Sequence, residues 1–332
     1  MQDKIDKWNN IICNDIAKQY DIYYTNGEKS LYNLQFSKVV IPTHDQSMLI
    51  KSFKKSLKEK KKFLPHIKNF RIFDFGCGNG RLHPVLEKFG KYLKKNNFSL
   101  ELVLYDISKV GLETYEKFLI EKGYKYKNKV NYRYKKNIYF GSTLVKNNIL
   151  VKIIMGTEKS STMEIEKFIK NVDVSICMYD IINHIPLQQK RIKIINLLGR
   201  ITNYDTVFTV ATKALFKKEQ KIYEGLRKQG FPLKMAINPG DLYYTHTGPN
   251  NESIYNFFHV YNSLELINDF KKADMIIRKF GIAIITNYTK INCGFIIFKL
   301  DEIISKITTL IVPKKYIHNI ALDIAIIARK RR

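Results

Sequence analysis

A chain of 332 residues, 45% of them hydrophobic, is long enough to bury a sizeable core, and one enlarged domain fits it as well as two. Lys and Arg number 57 against 30 Asp and Glu, a net charge of +27 that favours RNA, DNA or an anionic membrane as partner, although the accompanying wealth of Ile, Asn and Tyr also fits an AT-rich genome. No stretch approaches about 18 consecutive apolar residues, the opening MQDKIDKWNN lacks a signal-peptide core, and Cys13, Cys77, Cys177 and Cys293 lack paired spacing, so the expectation is a cytoplasmic protein with reduced thiols, no integral membrane segment and no metal site.

Residues 1–66 precede the first strand and read as a helical cap. Within them Leu49, Ile50, Phe53 and Leu57 line one side of a helix whose other side carries Lys51, Lys54, Lys55, Lys58, Lys60, Lys61 and Lys62. Phe70 to Leu82, FRIFDFGCGNGRL, is an apolar run ending in an acid and three alternate glycines. It predicts a buried parallel strand turning sharply into a helix that begins near Arg81. Leu100 to Tyr105 predicts the next strand, with Asp106 at its end and an amphipathic segment through Leu119 behind it.

Lys122 to Lys136 interleaves lysines and Arg133 with Tyr124, Tyr126, Tyr132 and Tyr134. This alternation suits an edge hairpin and equally suits stacking of unpaired bases beside phosphate contacts. Further strands are predicted at Ile149–Met155, Val172–Met178, Thr206–Ala211, Ile276–Ile285 and Ile320–Ala328, and helices at Gln188–Arg200 and Leu264–Lys272. Between the last two strands, Leu300, Ile303, Ile304, Ile307, Leu310 and Ile311 recur at helical spacing; that stripe packs on the core, covers an acceptor pocket, or rests on a membrane surface.

A dinucleotide site requires a glycine at position 81, where this chain has Arg81. The spacing D-x-G-x-G-x-G from Asp74 to Gly80 instead resembles the first motif of the class I S-adenosylmethionine-dependent methyltransferases. The resemblance implies an α/β fold with a doubly wound, Rossmann-like, mostly parallel seven-stranded sheet, an antiparallel edge strand and helices on both faces. It would span residues 67–330, with a basic insertion at 122–148 and a helical insertion at 291–316. S-adenosylmethionine is the implied cofactor, lying against Asp74, Gly76, Cys77, Gly78, Asn79 and Gly80. Asp106 and Ile107 would meet the ribose, Glu158 is the nearest acid for adenine, and Met178 would complete the wall. AKQYDIYY, from Ala17 to Tyr24, resembles the lid helix of many relatives and offers Tyr20 or Tyr24 to the cofactor.

The end of the fourth strand presents Tyr179, Asp180, Asn183 and His184 where open α/β sheets bind ligands. His184 is the candidate general base, Asp180 and Tyr179 the positioning groups, and His259 a candidate for the acceptor wall. DVSICMYDIINHIPLQQKRIKIINLLGRI and NFFHVYNSLEL resemble segments of the methyltransferases that act on tRNA wobble uridines. The implied acceptor is therefore RNA, tRNA first; a metabolite, quinone or lipid acceptor, and an inactive binding subunit, remain alternatives.

Overall fold

The computed structural model describes residues 16–25, 44–130, 133–135, 137–212, 240–247, 253–283, 295–321 and 323–331. Cys13, Cys293, Tyr132 and Lys136 lie outside the described residues, as do parts of the 1–66 cap and of the 291–316 insertion.

The glycine-terminated run becomes β1 (Asn69–Phe75), followed by α3 (His83–Lys94), whose first turn accommodates Pro84 because the early helical amides need no intrahelical partner. Upstream lie α1 (Ile16–Tyr24) and α2 (His44–Phe63). Downstream come β2 (Ser99–Asp106), α4 (Lys109–Glu121), β3 (Lys125–Asn128), β4 (Arg133–Lys135), β5 (Ile138–Lys146), β6 (Ile149–Met155) and α5 (Thr162–Phe168). The chain continues through β7 (Val174–Cys177), α6 (Gln188–Ile201), β8 (Thr206–Ala211), a hairpin of β9 (Asp241–Thr247) and β10 (Ser253–His259), α7 (Ser263–Lys272), β11 (Met275–Ala283), α8 (Phe295–Ile311) and β12 (Asp323–Lys330). Ser108 caps α4 through the Gly111 amide, and Ser161 with Glu164 forms a reciprocal capping box on α5.

Strands β6, β2, β1, β7 and β8 run parallel in that spatial order. Sequence direction reverses between β1 and β7, which opens the ligand crevice of a doubly wound sheet at their carboxyl ends. β12 enters antiparallel between β8 and β11. Alternate residues feed the two sides of the sheet: Phe70 and Ile72 join one apolar cluster with Phe53 and Phe89, while Phe73 and Phe75 join another with Ile195 and Phe270.

Among the described residues nine strands form one continuous path and β4 adds a tenth, correcting the seven expected. The difference comes from residues 122–148, which extend the sheet. β5 pairs antiparallel with β6, and β3 and β4 each pair with β5, so the two basic segments do not form a hairpin with each other. The lysine face of α2 also departs from expectation at Lys60, which is buried and bonds both oxygens of Asp173 at 2.9 and 2.7 Å.

Candidate functional site

Where β1 ends, the backbone turns through Gly76, Gly78 and Gly80 at φ of +78°, +52° and +90°. The Gly76 and Cys77 amides donate to the Tyr105 carbonyl at 2.8 and 3.1 Å, which straps the turn across the end of β2. A Cβ on Gly80 would overlap the buried Tyr115 ring, and one on Gly78 would lie 2.6 Å from the Tyr24 hydroxyl, so the turn is floored by main chain.

Asp106 occupies the predicted place at the end of β2. Its two oxygens accept the Gly78 amide at 2.7 Å and the Ser108 amide at 2.9 Å, joining the glycine turn to the start of α4. Burial raises its carboxyl above the usual range against the pull of the Ser108, Gly78 and Ile107 amides. Asp74 is also buried; desolvation first, and the Asp106 charge second, push it up to about 8. Burial likewise raises the Cys77 thiol well above its ordinary value, so Cys77 is an inert wall residue.

Two cavities meet at this turn. A small one of about 20 Å³, room for about one water, is lined by Asp74, Cys77, Gly78, Asn79, Met178 and Tyr179. A larger one of about 370 Å³ contains Asp106, Ile107, Glu158, Tyr20 and His184 in its wall, with Ile181, Ile185, Lys190 and Lys193. Tyr24, Gly76 and Ile181 belong to both walls and so separate the two.

The roof of the larger cavity is α1, tied down by carboxylates at either end. The Ala17 amide in its first turn donates to Glu158 Oε1 at 2.7 Å. Asp21 accepts the Ser108 hydroxyl at 2.7 Å and the Val110 amide at 3.0 Å. Glu158, expected beside adenine, thus lines the cavity while committing an oxygen to α1.

The three predicted catalytic residues are not brought together. His184 lines the larger cavity, Tyr179 the smaller, and Asp180 neither. Tyr179 and Asp180 are consecutive residues in left-handed backbone at φ of +60° and +62°, and the Tyr179 and Asp180 amides donate to Thr209 Oγ1 at 2.6 and 3.4 Å. The Arg81 guanidinium lies 3.8 Å from the Tyr179 ring centroid, a stacking partner in the place where a dinucleotide turn has glycine. Asn183 is absorbed by packing: its amide nitrogen donates to the Ala211 and His259 carbonyls, and its oxygen accepts the Ala211 amide.

His184 is held between Tyr20 and Phe258, with edge-on ring centroids at 5.9 and 4.8 Å. Burial lowers it to about 4, against a hydrogen bond to the Phe257 backbone, so the ring is neutral at pH 7. Its Nδ1 is buried and has no hydrogen-bond partner among the described residues.

His259 is not part of either cavity wall. It sits in a buried charge network, Nδ1 at 2.7 Å from Asp241 and Nε2 at 2.8 Å from Glu265. Desolvation disfavours its cation, yet the bonds to Asp241 and Glu265 outweigh it and raise the histidine above its ordinary value. Lys190, Lys193, Ile185 and the Asp21 latch escaped the sequence reading; the polar caps have only the generic signal of an acid near a helix start.

No family model and no curated protein matches the chain. Among solved structures it is similar to an S-adenosylmethionine-dependent methyltransferase from Methanosarcina mazei, at 14% identity over 79% of this chain and 93% of that one, with a TM-score of 0.46. It is also similar to one from Clostridium acetobutylicum, at 11% identity over 85% and 92% with a TM-score of 0.43. A magnesium protoporphyrin IX methyltransferase from Synechocystis, solved with bound SAH, gives 11% identity over 99% and 100% with a TM-score of 0.46. Read from its own strand order and the antiparallel β12, the chain has a Rossmann-like, mostly parallel α/β fold.

Proposed function

We propose that the chain transfers a methyl group from S-adenosylmethionine to a small, largely apolar acceptor of the metabolite, quinone or lipid class. The observation that carries the reading is the cavity of about 370 Å³ reaching from Asp106, on the side given to the cofactor, to His184, with Ile16, Ile165, Ile181, Ile185 and Ile194 making its wall largely apolar. The residues fit the cofactor. A side-chain-free turn suits close approach of a ligand to main chain, and the buried Asp74 and Asp106 carboxyls gain from an incoming cation.

When bound, S-adenosylmethionine supplies an electrophilic methyl on sulfonium. The protein's part is to hold and align the reactants. Asp74 is assigned the cofactor's amino group, Asp106 and Ile107 its ribose, and Gly76 to Gly80, with Met178, the floor and wall; Tyr20 and Glu158 close the cavity from the α1 side. His184, whose Nδ1 has no hydrogen-bond partner among the described residues, is the candidate to take a proton from an acceptor hydroxyl or amine. Because Tyr24 stands between the two cavities, its side chain must swing aside for one ligand to span both.

One observation favours RNA, including tRNA, as a second reading. β5 begins at the ligand edge, where the Asn137 carbonyl accepts the Ser160 hydroxyl of the cavity wall, and its partner β4 sets Arg133 and Lys135 opposite Phe140 and Ile138 at that same end. Methyl-labelled cofactor offered together with RNA and with organic-soluble extract separates the readings. Label in the organic fraction supports the first and label in RNA the second. Absence of heat on titrating the folded protein with the cofactor or its demethylated product overturns both.

A further inference from the structure

The sidedness of α8 is inverted. Asp301 and Ser305 are each 1% exposed, while Leu300, Ile303, Ile304 and Ile307 face solvent and Leu310 and Ile311 are 86% and 74% exposed. Spacings of three and four residues put the six apolar side chains on one stripe, and the helix packs through its other face on β11 and α2. From residue 300 to 311 the stripe runs about 17 Å at 1.5 Å per residue. Exposed Lys306, Lys314, Lys315 and Tyr316 lie within or directly after the same helix. A continuous apolar strip of this kind marks a surface that is covered in use.

We infer that α8 docks the protein on an anionic phospholipid surface, with the isoleucine and leucine stripe in the headgroup and acyl boundary and the neighbouring lysines on lipid phosphates. Charge decides the occupant. A net +27 and the lysines beside the stripe repel a second copy and attract an anionic leaflet, and RNA offers no apolar face to receive the stripe. No described helix is long and apolar enough to cross a membrane, so the contact lies in the plane of the interface.

The register ties this surface to the candidate site. Ala283 at the end of β11 pairs with Asp323, which pairs with Ala211 at the end of β8, so the connection containing α8 leaves the sheet at its ligand edge. The Thr212 hydroxyl secures the return of that connection by donating to the Ala321 carbonyl. The connection that carries the stripe therefore starts and ends at the ligand edge, whether or not methyl transfer is the chemistry performed there.

The test is flotation of the full chain with phosphatidylcholine vesicles, with and without phosphatidylserine, beside sedimentation of the protein alone. The wild type should float with the anionic vesicles, less at high salt. Ile304→Asp with Ile307→Asp should weaken partition at least about tenfold without lowering the melting temperature, and Lys314→Glu with Lys315→Glu should erase the preference for phosphatidylserine. Three results would overturn the inference: no flotation of the folded wild type, unchanged flotation of the Ile304→Asp, Ile307→Asp variant, or a wild-type dimer that this variant dissolves.

Discussion

The Gly78 amide and the Asp106 carboxylate meet at 2.7 Å, a bond between the turn after one strand and the last residue of the next. The acid therefore shapes the glycine turn before any ligand arrives. Asp106→Ala leaves the buried donors of Gly78 and Ser108 without an acceptor, a loss of about 1–3 kcal/mol. Thermal melts should show the destabilisation, and calorimetry should show cofactor affinity reduced at least about tenfold. Unaltered values in both measurements would remove Asp106 from the site.

Asp74 makes the binding pH-dependent. Burial first, and the Asp106 charge second, push its carboxyl up to about 8, so at neutral pH a cation must displace a proton to pair with it. Affinity for S-adenosylmethionine should rise with pH up to about 8, approaching tenfold per unit below it. Stability runs the other way. The folded state keeps a proton that the unfolded chain releases, so stability falls as pH rises from the ordinary carboxylate range toward 8. Asp74→Asn should flatten both profiles; a wild-type affinity independent of pH between 6 and about 8.5 contradicts the assignment.

Gly80 should be the least tolerant glycine of the turn. Alanine there combines left-handed strain with overlap of the buried Tyr115 ring, about 3 kcal/mol in total. Alanine at Gly78 meets only the end of the Tyr24 side chain, so about 1 kcal/mol is expected. Urea melts of the two variants give the order directly, and the reverse order would refute the packing described for this turn.

The His259 network should reveal itself in alkali. A histidine raised by its carboxylate partners contributes stability that is complete below its unfolded value near 6.5 and is lost as pH passes the folded value. His259→Gln should cost about 3 kcal/mol at pH 6, with a smaller deficit at pH 9, because a buried charge pair is broken. Chemical denaturation at the two pH values measures the difference; an equal deficit at both would mean that His259 folds uncharged.

The glycine turn and Asp106 were legible because local backbone geometry dictates their chemistry. Apolar runs such as Ile149–Met155 were equally plain, since a strand covered on both faces has little choice of residue. β5 was not legible: Ile138 and Leu144 are buried while Tyr139, Thr143 and Lys146 are not, and a half-buried strand in a lysine-rich stretch resembles solvated chain. Lys60 was hidden in a lysine run because its partner Asp173 stands 113 residues away. Glu158, Asn183 and His259 show the same limit, as their bonds depend on elements distant in sequence.

Glu158 and Asp21 grip α1 near its two ends, and both acids or their partners belong to the segments that floor the larger cavity. Anything that spreads this floor is felt along the whole helix. A fluorophore on solvent-exposed Lys18 should therefore report occupancy optically, without a turnover assay and before the methyl acceptor is known.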